Sequence, residues 1–219
     1  MTPATAPLQS TIFALEPFEI TDAALGVQES HLDHSCRVIH LPHWVMGADR
    51  LYFELLESLP WRKHQRWIID HAVVEPRLST SIQEPSPEMV SLADALEVLL
   101  HRPFVASWAN LYRDGTDGVA WHGDRFRPGS THDDVALVSF GGPRTFRIRP
   151  RGGGASLQWT LRSGDLLVMS GPVQQHYEHC IPKVACAGPR ISIAFRCPQG
   201  REFDQTVVNE GRLRIEIRR

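Results

Sequence analysis

From Phe104 to Cys197 the chain alternates short β-rich runs with Gly, Pro and Asp turns, and this rhythm limits the fold more than any other feature. The runs are FVASWANLY, GVAWHGD, VALVSFGG, RTFRIRP, SLQWTL, GDLLVMSG, QHYEHCIP and RISIAFRC. Their spacing of about ten residues, with turn signals between them, predicts an all-β sandwich or barrel. Eight strands of this kind close into a jelly roll, whose interior can hold a ligand.

Upstream the period changes. In residues 47–58, Leu51, Phe53, Leu55 and Leu56 stand among acids and predict an amphipathic helix, with Pro60 just beyond it. Ser86-Pro87-Glu88 supplies an N-cap and a proline at the first helical position. Met89, Leu92, Leu96, Leu99 and Leu100 follow at helical spacing, so this helix should run to about His101, before Pro103. The predicted class is α+β: a jelly-roll (double-stranded β-helix) core under an N-terminal helical layer. Residues 1–12, rich in Ala, Pro and Thr, read as a loose tail, and 13–219 as a single domain, with 13–103 the helical part and 104–200 the core.

Composition excludes several classes of function. No window reaches the ~18 uninterrupted apolar residues of a membrane span. Cys36, Cys180, Cys186 and Cys197 form no C-x-x-C pair, so zinc-finger and thioredoxin-type readings find no support. Reduced thiols and a start without the n- and h-regions of a secretory signal predict a cytoplasmic protein. The net charge of -2 conceals an asymmetry: residues 1–60 carry eight acids and two bases, and the remainder 21 bases and 17 acids. A basic face on the C-terminal part follows.

Eleven histidines are many for this length and point towards metal chemistry. His-x-Asp occurs at His31/Asp33, His122/Asp124 and His132/Asp134, where chance predicts about 0.6. Only His122/Asp124 ends an apolar run, Val119-Ala120-Trp121; the others sit in polar stretches with turn chemistry. Residues two apart on a strand face the same side, so His122 and Asp124 can share one ion. A later histidine would complete a 2-His-1-carboxylate triad, which leaves open positions on Fe(II). His176 and His179 both qualify, and their odd spacing puts them on opposite faces of a strand, so spacing does not choose between them.

An ordered set of motifs, running from about Leu59 to Arg196, resembles the AlkB-type Fe(II)/2-oxoglutarate-dependent dioxygenases. The set comprises Asn110-Leu111-Tyr112, His122-Gly123-Asp124, Val138-Ser139-Phe140-Gly141, Gly164-Asp165-Leu166-Leu167-Val168-Met169, His176-Tyr177-Glu178-His179 before Ile181-Pro182, and Pro189-Arg190-Ile191-Ser192-Ile193-Ala194-Phe195-Arg196. Pro60-Trp61 and Glu75-Pro76-Arg77-Leu78 look like the family's substrate-lid segment. The resemblance implies a metal site of His122, Asp124 and His179, with His176 in a supporting place. It implies a 2-oxoglutarate clamp of Arg190 and Arg196, six apart and on one strand face, with Asn110 and Tyr112 beside it. Arginine suits that task because its planar fork binds carboxylates bidentately and stays charged.

The activity implied is oxidative demethylation of N-alkylated nucleobases, of 1-methyladenine and 3-methylcytosine type, in DNA. It would use Fe(II), with 2-oxoglutarate and O2 as cosubstrates, and release succinate and formaldehyde. The same chemistry on RNA or tRNA, or hydroxylation of a protein or small molecule, are the alternatives. The expected partner is alkylated nucleic acid, with no membrane involved, and the chain is expected to act as a monomer. A buried base must be extruded to be reached, so stacking and phosphate contacts are expected near the barrel mouth. The candidates are Trp121 for stacking, Ile69 as an apolar wedge, and Arg77, Arg125, Arg127 and Arg144 for the backbone, with Arg147, Arg149 and Arg151 extending the basic run. The chain departs from the family pattern at Phe126, where many members carry a second acid, and at Leu78-Ser79-Thr80-Ser81, which lacks an aromatic pair.

Overall fold

The computed structural model describes residues 16–22, 26–68, 71–124 and 134–197. Their elements, in order, are β1 (Glu19–Ile20), β2 (Gln28–His31), β3 (Arg37–Leu41), β4 (Val45–Met46), α1 (Ala48–Ser58), β5 (Arg62–Ile68), β6 (His71–Ser81), α2 (Pro87–Leu100), β7 (Val105–Tyr112), β8 (Val119–His122), β9 (Val135–Gly141), β10 (Arg144–Pro150), β11 (Leu157–Leu161), β12 (Leu166–Ser170), α3 (Val173–His176), β13 (Tyr177–Ile181) and β14 (Arg190–Arg196). The larger sheet has eight strands in the order β2-β3-β12-β9-β14-β7-β6-β5, and the smaller has four, β11-β10-β13-β8. Every pairing within them is antiparallel.

The eight runs predicted as strands are β7 to β14, and the two sheets they build enclose the jelly-roll interior. The segment before them differs from the expected helical layer, because β2 and β3 extend the larger sheet at one edge and β5 and β6 at the other. Val38-Ile39-His40-Leu41 is the kind of short apolar run that fits a covered strand, and it pairs along the whole of β12.

The two predicted helices form where expected. Ser86 caps α2, its Oγ accepting from the Met89 amide at 3.4 Å, and His101 stops the helix in the left-handed region. α1 lies against β9 and β14, and α2 against β7. Their apolar stripes, Leu51, Tyr52 and Leu55 on α1 and Met89, Leu92 and Leu96 on α2, bury themselves on the outer face of the larger sheet, against Val138, Phe140, Ile191, Ile193 and Phe195. A separate apolar cluster fills the space between the sheets, with Tyr112, Val135, Phe146, Ile148, Leu167 and Met169 in it. Strand alternation makes this division: odd-numbered β14 residues face the helices, and even-numbered ones face the interior.

Gly164 joins the two layers at the turn before β12. Its φ is +82°, and a Cβ there would overlap the Val45 carbonyl. Asp165 follows, 1 % exposed, and its carboxylate accepts from the amides of His43 and Arg162, each at 2.9 Å, and bonds the His40 ring at 3.2 Å. That carboxylate therefore locks the turn to the β3–β4 connection.

Candidate metal centre and cosubstrate pocket

β8 and β13 are neighbours in the smaller sheet, and His122 stands directly opposite His179 in their register. The imidazole centroids are 4.4 Å apart. Asp124 lies two residues past the end of β8. Its Oδ1 is 4.0 Å from His122 Nε2 and its Oδ2 3.9 Å from His179 Nε2. The three ligand atoms all lie within 4.8 Å of one another, close enough to share one ion.

Each donor is prepared for a cation. His122 Nδ1 lies 2.8 Å from the Ala120 carbonyl, which can only accept, so Nδ1 carries the proton and Nε2 offers its lone pair. His179 packs against the Phe146 ring and is buried, which pushes its imidazole down to about 4 and keeps it neutral at physiological pH. Burial alone would raise the Asp124 carboxyl; His179, Arg196, His122 and Arg77 outweigh it and hold the carboxyl below its ordinary value. Two imidazoles and a carboxylate converging from one side suit Fe(II).

His176 stands elsewhere. It closes α3 and, with Asp33 and Cys36, forms a second group of ligand-type side chains. The Asp33 carboxylate there is already engaged by the amides of Ser35 and Cys36 and the hydroxyls of Ser35 and Tyr177. Asp134 is structural too: it accepts from the Gly171 amide at 2.8 Å and pairs with Arg102 at 3.0 Å.

The interior beside the metal donors is lined by β7, β9 and β14. Arg190 is level with Tyr112 and Gly141, and Ser192 with Asn110 and Ser139. Arg190 is 1 % exposed, and burial pushes its guanidinium down to about 10. Its Nη2 donates to Ser139 Oγ at 2.8 Å, but its buried Nε has no partner, and no carboxylate among the described residues forms an ion pair with it. The buried Asn110 Oδ1 is also without a partner. An unpaired buried cation costs several kcal/mol, on the order of 3–5. A ligand carrying a carboxylate removes that penalty, so this pocket fits 2-oxoglutarate. Arg196, at the other end of β14, places Nη2 2.9 Å from Asp124 Oδ2. Tyr112 gathers the cations: the guanidinium carbons of Arg144 and Arg190 lie 5.4 Å from its ring, and that of Arg77 6.0 Å.

The structure separates the expected substrate contacts. Arg77, in β6, donates from Nη1 to the Tyr112 hydroxyl at 3.1 Å, with its Nε 3.3 Å from Glu75, and so borders the site. Arg144 corrects the expectation of a phosphate contact. It is 2 % exposed, and its guanidinium donates to the carbonyls of Asp114, Asp117 and Pro182, where no phosphate can reach it. Trp121 faces away from the metal donors. Its ring lies under the Arg149 guanidinium at 4.0 Å, and Arg149 pairs with Glu178 at 2.6 Å. Trp121 instead lines a cleft of about 440 Å³ with Glu75, Pro76, Arg77, Cys180 and Lys183. Ile69, Arg125 and Arg127 lie outside the described residues. Sequence reasoning overlooked Gln174, whose Oε1 accepts from the Asp124 amide at 3.0 Å, and Ser139 on Arg190. The 139/192 register could have indicated Ser139; no local pattern marks Gln174.

Comparison with known proteins gives the same picture. Residues 45–218 match the 2OG-Fe(II) oxygenase superfamily. Alpha-ketoglutarate-dependent dioxygenase alkB homolog 3 of Homo sapiens is 28% identical over 177 residues, covering 69% of this chain and 62% of that protein. The Mus musculus protein of the same name is 28% identical over 174 residues, covering 68% and 61%. DNA oxidative demethylase ALKBH2 of Arabidopsis thaliana is 31% identical over 211 residues, covering 75% and 67%. The chain thus spans about six-tenths of the length of the alkB homolog 3 proteins. A prolyl-4-hydroxylase from Pseudomonas putida superposes with a TM-score of 0.53 at 13% identity, over 73% of this chain and 90% of that one, which establishes the shared fold. With the motif order, the jelly roll and these matches in agreement, the chain belongs to the 2OG-Fe(II) oxygenase superfamily and is of its AlkB type.

Proposed function

We propose that this chain is an Fe(II)- and 2-oxoglutarate-dependent dioxygenase that removes methyl groups from the ring nitrogens of nucleobases in DNA, with 1-methyladenine and 3-methylcytosine as the lesion class. The observation that carries the reading is the convergence of His122, Asp124 and His179 beside a buried Arg190 that lacks a carboxylate partner. The names of the relatives, a DNA oxidative demethylase among them, support the substrate class.

When bound, the ferrous ion with O2 and 2-oxoglutarate supplies the oxidising power: one oxygen atom ends in succinate, formed with CO2, and the other on the methyl carbon, which leaves as formaldehyde. The residues do the rest. His122, Asp124 and His179 would hold the metal. Arg190, with Ser139 and Tyr112, takes the distal carboxylate of the keto acid, and Arg196 the end nearer the metal. The β5–β6 hairpin acts as the lid. Residues 78–81 of β6 pair with β7, the Pro76 carbonyl accepts from the Gly118 amide at 2.9 Å, and Arg77 reaches Tyr112, so the hairpin borders the site. The cleft beside Trp121, with Lys183 at its rim, offers a surface for the flanking strand.

The test uses the full chain with Fe(II), ascorbate and 2-oxoglutarate on an oligonucleotide containing 3-methylcytosine, with formaldehyde and succinate both measured. Formaldehyde should match succinate, and His122→Ala, Asp124→Ala and His179→Ala should each abolish both products. Succinate release unaffected by methylated DNA, with turnover on methylated RNA or another substrate instead, would overturn the DNA assignment.

A further inference from the structure

We infer that Gln174 and Arg151 are positioning residues for the Asp124 carboxylate, acting through the backbone of residues 123–124. The inference rests on the metal reading of the triad and on no choice of substrate.

Asp124 is the triad member with the least support from its own strand. His122 and His179 sit in a β ladder, whereas Asp124 lies beyond the end of β8. Its amide needs an acceptor, and Gln174 supplies one from 50 residues away, Oε1 to Asp124 N at 3.0 Å. Gln174 is fully buried, and its Nε2 lies 3.5 Å from Met169 Sδ. A glutamine in that setting has one orientation: the amide nitrogen towards the thioether and the oxygen towards residue 124.

Arg151 fixes Gln174 in turn. α3 ends at His176, and the carbonyls at the end of so short a helix have no partners within it. Arg151 takes three in succession: its backbone N–H donates to His176 O at 2.8 Å, Nε to Gln175 O at 3.0 Å, and Nη2 to Gln174 O at 2.7 Å. The same guanidinium passes beneath residue 123. A Cβ on Gly123 would overlap Arg151 Nη2 and come within 3.1 Å of Gln174 O. The central residue of His-Gly-Asp is therefore glycine for space, and the tip of the β10–β11 hairpin, α3 and the iron-binding turn form one packed unit.

A metal centre is sensitive to this arrangement. Carboxylate oxygens and imidazole nitrogens bind such ions within about 2.0–2.2 Å, with tolerances of about 0.2 Å. Groups that orient ligands change metal affinity by about 10–100-fold when removed. Gln174 and Arg151 act on Asp124 in this sense and touch neither the keto acid nor the substrate.

The experiment titrates metal-free protein with Mn²⁺, read by the loss of free Mn²⁺ signal in electron paramagnetic resonance, in folded samples without 2-oxoglutarate. Gln174→Met, similar in length but without the acceptor oxygen, should weaken Mn²⁺ binding at least tenfold, whereas the KM for 2-oxoglutarate at saturating metal should stay within about twofold of wild type. Gly123→Ala should weaken binding in the wild-type background and add less in an Arg151→Ala background, because the nearer of the two groups it meets is then gone. That cycle also settles the matter if Gln174→Met does not fold. Wild-type Mn²⁺ affinity in folded Gln174→Met, or fully additive effects of Gly123→Ala and Arg151→Ala, would overturn the inference alone. A wild-type protein that binds no Mn²⁺ would remove the metal reading and this inference with it.

Discussion

Arg196 Nη2 lies 2.9 Å from Asp124 Oδ2, so one arm of the expected keto-acid clamp touches one of the expected metal ligands. The charge helps keep Asp124 ionised, and it would tie loading of a keto acid to loading of a metal. Charged hydrogen bonds contribute about 1.5–3 kcal/mol, or about 10–100-fold in an equilibrium constant. Arg196→Met should therefore lower kcat/KM for 2-oxoglutarate by about tenfold or more. Arg196→Lys, which keeps charge but not the fork, should fall between. Steady-state titration with 2-oxoglutarate checks the order of the three proteins.

His176 and His179 stand three positions apart and in different surroundings. His179 Nε2 is 3.9 Å from Asp124, whereas His176 groups with Asp33 and Cys36. His176→Ala should bind Mn²⁺ within about twofold of wild type, and His179→Ala should lose binding by about two orders of magnitude. Loss in the first with retention in the second would reverse the ligand assignment.

Arg144 shows how a basic run misleads. Its guanidinium serves the carbonyls of Asp114, Asp117 and Pro182 in the interior. Arg144→Met strands those acceptors and should destabilise the fold by about 1–3 kcal/mol in chemical denaturation. The dependence of log K on log salt for oligonucleotide binding should not change, because no phosphate contact is lost.

Acid stability should follow Asp33 and Asp165. Burial would raise each carboxyl. At Asp33 the amides of Ser35 and Cys36 and the Tyr177 hydroxyl outweigh it, and at Asp165 His40 and the amides of Arg162 and His43 do so, leaving both below the ordinary 3.8. In both cases the folded state binds its proton less readily than the unfolded one. Their contribution is fully present above the unfolded value and is lost as pH falls through the folded values. The contribution of these two carboxylates should be level down to about pH 5 and decline below about 4, on top of a loss that begins near 6.5, where the buried His179 imidazole, held down to about 4, resists its proton. Asp165→Asn should lower the plateau by about 2–3 kcal/mol and flatten the decline, as urea titrations at several pH values would show.

The strands from Phe104 onward and both long helices were legible because turn residues and apolar periodicity mark them locally. β2, β3, β5 and β6 were harder. Gln28–His31 is polar throughout, and β5, RKHQRWI, alternates weakly, so pairing with the larger sheet decides their form. At the site, His122 and Asp124 stood out among three His-x-Asp pairs because they alone end an apolar run, whereas the two arginines of β14 were legible only through the ordered motifs that resemble the AlkB type. Trp121 obeyed alternation and turned towards Arg149. Gln174 was invisible because its task depends on a bond to a residue 50 positions away.

Among the described residues, β8 is the outermost strand of the smaller sheet and pairs on one side alone, with β13. Among the described residues, the rim that presents His122 therefore carries fewer backbone cross-links than the inner strands of the wall, the bond from the Gly118 amide to the Pro76 carbonyl being one. Remodelling along that margin can retune which molecules enter while the eight-stranded layer and the arginine cradle on β14 keep their shape. A scaffold so divided separates the oxidising apparatus from the choice of what is oxidised.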